Sequence, residues 1–394
     1  MTRFLLIFSI ATVVSYLATG WITTVAIKLK AVDLPNERKM HVEPVPRLGG
    51  VGIWLGFMAA ILLFSVFQNF VPHEVIGLRF SREFIGILLG GLIILLVGVA
   101  DDIWSLTPFF KFGGQLAAAI VLVSFGVKME YIGNPFGGPG SLFYLGNIGI
   151  AMTIFWVIAF TNIMNFIDGL DGLAAGVSVI AGVTFFVFSW QTGQMAASLI
   201  TLALAGAALG FLKHNYYPAK IFMGDSGSMF LGYLLGAITV DGVMKSVAAV
   251  TLFAPLIIMG IPILDAALAV LRRYLSHTPV TQADRDHLHH RLIRRGLSHK
   301  QSVLFIYGWS SALSVLGLTF KFLPSSQKYL VIFAGLFLTF LFAEVVGFFD
   351  GLTGGVTEPA AEPEATNQAI AAAEAPDSAS TQALNCSDEG YQDY

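Results

Sequence analysis

The stretch Asn162-Ile163-Met164-Asn165-Phe166-Ile167-Asp168-Gly169-Leu170-Asp171-Gly172 sets two amides and two carboxylates into an otherwise apolar chain. Residues 148–160 before it are almost wholly apolar, and residues 173–190 after it are apolar and long enough to cross a bilayer. Polar groups are costly in hydrocarbon, so this stretch is expected where two membrane helices meet water. Asp168 and Asp171 are three apart, which on a continuing helix places them on one face, while Gly169 and Gly172 permit a turn or a close approach to a ligand. Two carboxylates aimed at one point suit a metal ion or a proton transfer, and a plain hydrophilic turn is the competing reading.

Across the whole chain, 56% of the 394 residues are hydrophobic and 12% charged, against about 25% charged in an ordinary soluble domain. The expected fold class is all-α, a polytopic integral membrane protein embedded in a lipid bilayer. The single cysteine, Cys386, lies in a polar tail, which leaves no disulfide framework or zinc-cysteine cluster. The net charge of −3 hides an asymmetry, because the last eight acidic residues follow Leu352 with no Lys or Arg among them. The preceding part carries +5, from 22 basic against 17 acidic residues. The first apolar run, 4–27, exceeds the roughly 7–15 residues of a signal-peptide core and is read as a membrane helix.

At about 20 residues per span, eleven transmembrane helices are predicted. They lie near 4–27, 49–68, 84–100, 110–127, 148–162, 173–190, 195–212, 228–243, 247–271, 302–321 and 329–349. Alternate loops, 28–47, 101–111, 165–171, 213–227, 272–300 and the tail, hold 15 of the 22 basic residues. The positive-inside tendency makes that side cytoplasmic, with the amino terminus outside and the active site facing the cytoplasm. Residues 1–350 form the expected membrane domain, and 351–394, rich in Ala, Glu, Pro and Ser, a disordered acidic tail. The run Pro135-Phe136-Gly137-Gly138-Pro139-Gly140 falls in an outer loop as a turn-rich connector.

Nearly every unusual polar group falls on the inner side. The first loop, from Asp33 to Gly50, combines Pro35, Pro44 and Pro46 with Arg38, Lys39, His41 and Arg47, a stiffened basic segment able to hold phosphate. Asp101-Asp102 ends the third predicted helix with no basic residue before Lys111. Adjacent carboxylates resist joint ionisation unless a cation lies between them, and one of the two could act as a general base. Carboxylates at a helix C-terminus are also electrostatically disfavoured.

Phe222-Met223-Gly224-Asp225-Ser226-Gly227-Ser228 precedes the eighth helix, where free amides favour an anion, Asp225 and Ser226 are alternatively caps, and Phe222 offers a flat face to a nucleobase. In the loop 272–300, His287, His289 and His290 lie beside Arg291, Arg294 and Arg295. The arginines oppose a cation there, so phosphate or sugar contact is the better functional reading than zinc.

Together these motifs carry a resemblance. The Asp-x-Pro-x-x-Arg-Lys-x-His and Pro-x-Pro-Arg-x-Gly-Gly elements of the first loop, Gly98-Val-Ala-Asp101-Asp102, the Asn162 to Ala174 stretch, Phe222-Met-Gly-Asp225-Ser-Gly-Ser and His287-Leu-His289-His290-Arg291 occur in order over residues 28–295. They resemble the polyprenyl-phosphate N-acetylhexosamine-1-phosphate transferase family. The resemblance implies transfer of a sugar-1-phosphate from a UDP-N-acetylhexosamine to undecaprenyl phosphate in the bacterial cytoplasmic (inner) membrane, releasing UMP, with Mg2+ as cofactor and Mn2+ as its substitute.

The resemblance also implies residue roles. Asp225 becomes a main metal ligand, with Asp101 and Asp171 beside it, and Asp101 and Asp102 lie around the lipid phosphate. Asp168 and Asp171 line the catalytic centre with Asn162 and Asn165. Phe222 stacks on uracil near Asn215 and Gly169, while Arg38, Lys39, His41 and Lys111 contact phosphate. The His-Leu-His-His form resembles the N-acetylglucosamine branch, with UDP-GalNAc or UDP-N-acetyl-6-deoxyhexoses as other donors. No nucleic-acid partner is expected, and a homodimer is the oligomer considered. The downstream polymer, whether O-antigen, common antigen or teichoic acid, is not encoded here. A cation-coupled transporter using Asp265 and Glu344 is the rival class, and it conflicts with the gathering of acids at one membrane face.

Overall fold

The computed structural model describes residues 2–34, 44–68, 81–133, 142–243, 256–257, 259–275, 288–319, 322–323 and 327–346. Its compact unit spans Met1–Val346. The tail expected to be disordered and the Pro/Gly-rich outer loop lie outside the described residues.

Twelve α-helices are described: α1 (Thr2–Lys28), α2 (Gly49–Gln68), α3 (Arg82–Trp104), α4 (Pro108–Ser124), α5 (Asn147–Ile167), α6 (Leu173–Gln191), α7 (Met195–Asn215), α8 (Gly224–Ile238), α9 (Gly260–Leu275), α10 (Leu288–Arg294), α11 (His299–Thr319) and α12 (Lys328–Val345). A π-helical turn, Thr239–Val243, continues α8. Two antiparallel ribbons are the non-helical elements among the described residues: β1 (Val32–Asp33) with β2 (Val45–Pro46), and β3 (Tyr131–Gly133) with β4 (Leu142–Tyr144). Seven helices, α1, α2, α3, α5, α6, α7 and α11, are long and apolar enough to cross a bilayer, while α4 and residues 329–345 of α12 are shorter apolar helices.

Several boundaries differ from the sequence expectation, and each difference moves polar residues into a helix. Helix α3 continues through Asp101-Asp102 to Trp104, and α5 continues through Asn162 and Asn165 to Ile167. Helix α8 starts at Gly224 rather than 228. The described part of α9 begins at Gly260, and its expected start at 247 lies outside the described residues. Apolar runs end at the first charge, whereas helices end where backbone groups find other partners.

Helix α8 is the centre of the bundle, and every residue from Ser226 to Ile238 is buried. It is packed by α2, α3 and α5, and α7 packs in turn against α1, α2 and α6. Small residues permit this closeness. A Cβ on Gly50 of α2 would lie 2.1 Å from the Gly227 nitrogen, and one on Gly98 of α3 would lie 2.4 Å from the Ser226 Cα. Two helices therefore close directly on the first turn of α8. Peripheral helices turn apolar side chains outward instead: Leu5, Leu17 and Trp21 of α1 and Phe333, Leu336 and Phe337 of α12 are all at least 60% exposed. Apolar residues exposed in such continuous stripes are expected of helices facing lipid.

Candidate active site

The site forms at one end of the bundle, where the last turn of α3, the first turns of α4 and α8, and the α5–α6 turn meet. Its carboxylates are explained by where their partners come from. Asp102, in the last turn of α3, lies against the first turn of α8: its Oδ1 accepts the Asp225 amide at 2.8 Å and its Oδ2 the Ser226 amide at 3.1 Å. A carboxylate that is badly placed for its own helix is thus well placed for another, where free N–H groups and the positive helix end favour an anion. Gly224 has a φ of +70°, and a Cβ there would lie 2.4 Å from Asp102 Oδ2, so a side chain would push the carboxylate away.

Asp101 turns to the other side. Its Oδ1 accepts the Leu106 amide at 2.8 Å, and its Oδ2 lies 2.7 Å from Lys111 Nζ. The same ammonium reaches Asp225 Oδ2 at 2.7 Å, so one cation is shared by carboxylates of α3 and α8. Lys111, expected to contact phosphate, bridges two acids here. Asn165 donates to Ser228 Oγ at 2.9 Å and also reaches the Asp225 carboxylate.

Asp101, Asp102 and Asp225 each offer an oxygen within 4.8 Å of the others, a grouping able to hold a metal ion. All three offer hard carboxylate oxygens, the donors a hard divalent cation takes, and Lys111 already sets a positive charge between two of them. Asp171, expected among the ligands, is not in this trio; its Oδ2 accepts the Ala219 amide at 2.9 Å. Asp102 stands in the trio in its place.

Asp168 and Asp171 do not share a helix face. Helix α5 ends at Ile167, Asp168 is its C-cap, and both acids lie on the turn leading into α6. Burial, reinforced by the charges of Asp225, Asp102 and Asp171, pushes the Asp168 carboxyl up to about 8. That dependence ties the turn electrostatically to the trio. Gly169 is exposed on the turn. Asn215, at the end of α7, accepts the Gly172 amide at 2.9 Å and donates to the Ile221 carbonyl at 3.0 Å, linking the turn to the segment before α8.

Phe222 is half-buried, and its backbone is held on both sides: its amide donates to the Pro46 carbonyl at 2.8 Å and its carbonyl accepts the Gly49 amide at 3.1 Å. Arg47 is ion-paired with Asp33 beside this junction. Asn162 faces Gln115 in a reciprocal amide pair, with separations of 2.7 and 3.3 Å. Gln115 was missed by sequence reasoning, although a lone amide in the apolar run of α4 was a usable signal. Arg38, Lys39, His41 and His287 lie outside the described residues; His289 and His290 fall in α10 with side chains that are not described, and Arg291 is half-buried in the same helix.

The glycosyl transferase family 4 pattern matches residues 84–243, the span that holds both carboxylate pairs and Asp225. The chain is 36% identical over 359 residues, 91% of it and 95% of the relative, to the probable undecaprenyl-phosphate N-acetylglucosaminyl 1-phosphate transferase of Bacillus subtilis. It is 39% identical over 318 residues, 76% of it and 77% of the relative, to the decaprenyl-phosphate N-acetylglucosaminephosphotransferase of Mycolicibacterium smegmatis. It is 26% identical over 323 residues, 81% of it and 84% of the relative, to the undecaprenyl-phosphate alpha-N-acetylglucosaminyl 1-phosphate transferase of Escherichia coli K12. With that similarity along nearly its whole length, the chain belongs to glycosyl transferase family 4, as a multi-pass membrane member of the polyprenyl-phosphate N-acetylhexosamine-1-phosphate transferases.

Proposed function

We propose that the protein transfers N-acetylglucosamine-1-phosphate from UDP-GlcNAc to undecaprenyl phosphate at the cytoplasmic face of the bacterial inner membrane, starting a lipid-linked envelope polysaccharide. The observation that carries this reading is the shared cation between Asp101 and Asp225 at the start of α8, in a chain so similar to the B. subtilis relative. Two phosphates must meet in this reaction, and their repulsion is severe unless positive charge is gathered first. No observation favours a transporter.

The acceptor phosphate oxygen attacks the β-phosphorus of the donor. A new P–O–P linkage forms, the bond from that phosphorus to the oxygen shared with the α-phosphorus breaks, and its electron pair leaves with UMP. Asp101 and Asp225 would hold magnesium, or manganese in its place, with Asp102 fixing the α8 backbone that carries Asp225. When bound, the ion supplies neutralisation of the donor pyrophosphate and of the departing UMP.

The chain's other groups bind, orient and move protons. Lys111 is close enough to the acids to carry positive charge to a phosphate, and Arg38, Lys39, His41 and Arg47 add to it. Burial and the charges of Asp225, Asp102 and Asp171 favour a protonated Asp168 in the metal-free site, a carboxyl suited to exchange a proton with the acceptor phosphate. Asp171 orders the segment after α7 through Ala219. Phe222 offers its ring to uracil, while Asn162, Asn165, Gly169 and Asn215 line the donor side. His287, His289, His290 and Arg291 contact the donor's phosphate or sugar hydroxyls.

The test is UMP release by purified protein given undecaprenyl phosphate and, in turn, UDP-GlcNAc, UDP-GalNAc or a UDP-N-acetyl-6-deoxyhexose. UMP release that depends on the acceptor and is fastest with UDP-GlcNAc is expected. Faster release with another sugar would overturn the donor assignment, and none with any sugar would overturn the reaction.

A further inference from the structure

We propose that Tyr307 of α11 is a positioning residue for phosphoryl transfer: it holds the carbonyl of Gly172 and so fixes the turn that carries Asp168 and Asp171. The proposal rests on the reading of that turn as part of the active site.

Gly172 is the junction between the turn and α6, with a φ of +81°. Both of its peptide groups are held by side chains from other helices. Its N–H donates to Asn215 Oδ1 at 2.9 Å, and its carbonyl accepts the hydroxyl of Tyr307. The carbonyl also accepts the Gly176 amide at 2.9 Å, the ordinary bond of the first turn of α6. The tyrosine bond is therefore additional to what the helix itself needs. Its loss leaves α6 intact and releases the end of the turn.

The ring reaches this carbonyl across α6 through a socket at Gly176. A Cβ on Gly176 would lie 2.0 Å from both the Oη and the Cζ of Tyr307, so any larger residue would expel the ring. The amino end of α11 grips the neighbouring segment too: the His299 ring lies 4.4 Å from that of Tyr217, and Lys300 Nζ lies 5.8 Å from the same ring. Helix α11 thus touches both segments that Asn215 joins. It also lies outside residues 84–243, the span of the family pattern. Acids on a turn with an exposed glycine cannot be held to sub-ångström tolerance by the turn alone, and transfer chemistry depends on such tolerance.

The test uses the full chain carrying Tyr307→Phe, which keeps the ring in its socket and removes only the hydroxyl. Losing one neutral hydrogen bond that orients the turn should lower kcat about 3- to 10-fold while both substrate KM values stay within about twofold. Hydrogen exchange of the amides at 168–173, measured in the absence of substrates, should quicken, with the helical amides of α6 and α11 unchanged. Gly176→Ala should reproduce both effects by displacing the ring; should it fail to fold, the Phe variant alone decides. Unchanged exchange at 168–173 would overturn the proposal and leave the site reading standing. Faster exchange with unchanged turnover would instead overturn the assignment of the turn to the active site, and the proposal with it.

Discussion

Two pairs of aspartates meet at this site, and three of the four carboxylates accept backbone amides while Asp168 is distinguished by its burial and the negative charge around it. Asp101 and Asp102 are adjacent in sequence, yet each is bound separately, one to Lys111 and the Leu106 amide, the other to two amides of α8. Asp168 and Asp171 sit on a turn, and Asp168 is surrounded by negative charge. The first pair is built into the scaffold by fixed partners. The second contains a carboxyl that keeps its proton until positive charge arrives. Partner supply, rather than the spacing of the acids, distinguishes a group that organises the site from one poised to react in it.

Three substitutions bear on that contrast, starting with the largest effect. Asp225→Asn should reduce turnover by about 1000-fold, since an amide keeps the shape but removes the charge that a hard cation prefers. Thermal stability should be little changed, and the magnesium concentration needed for any residual activity should rise. Near wild-type turnover at low magnesium would reduce Asp225 to a helix cap.

Asp168→Asn should cost about 100-fold in turnover, the scale of lost proton transfer. It also has a signature in stability. The native carboxyl releases its proton near 8, against about 3.9 for an unfolded aspartate. Between those values the native state binds the extra proton, so this stabilisation is complete below about pH 4 and is lost as pH rises through 8. Metal-free protein should therefore melt at falling temperatures as pH is raised from about 4 to 8, and Asp168→Asn should make that slope shallower. A wild-type slope that survives the substitution would place the extra proton elsewhere.

Asp102→Asn should have the smallest catalytic effect and a measurable structural one. One acceptor oxygen survives, so stability should drop by about 1–2 kcal/mol, the cost of a damaged helix cap, read from chemical denaturation in detergent. A loss of turnover equal to that of Asp225→Asn, without loss of stability, would show that Asp102 reacts rather than supports.

Much of this was legible in the chain. Seven of the eleven expected spans coincide with helices long and apolar enough to cross a membrane among the described residues, and costly polar groups marked the carboxylates, the amides and the Phe222–Ser228 segment. What was not legible depends on contacts between distant residues. Asp102 looked misplaced at the end of α3 because its partners are 123 and 124 residues further on. Asp168 and Asp171 could be read as one helical face or as a turn, because Gly169 and Gly172 permit a turn but do not require α5 to stop at Ile167. Tyr307 carries no local mark at all: a tyrosine in an aromatic-rich membrane helix reads as an interface residue until Gly176 is found against its ring.

Whether the bond broken lies between the two phosphorus atoms of the donor is decided by following the β-phosphorus. Purified protein would be given UDP-GlcNAc labelled with 32P at the β position, undecaprenyl phosphate and magnesium, and the label followed into the lipid phase. Label in the lipid and unlabelled UMP in the water are expected, and neither with Asp225→Asn. Label retained in water as UDP while the sugar moves to lipid would contradict that expectation, because the chain would then transfer sugar without its phosphate.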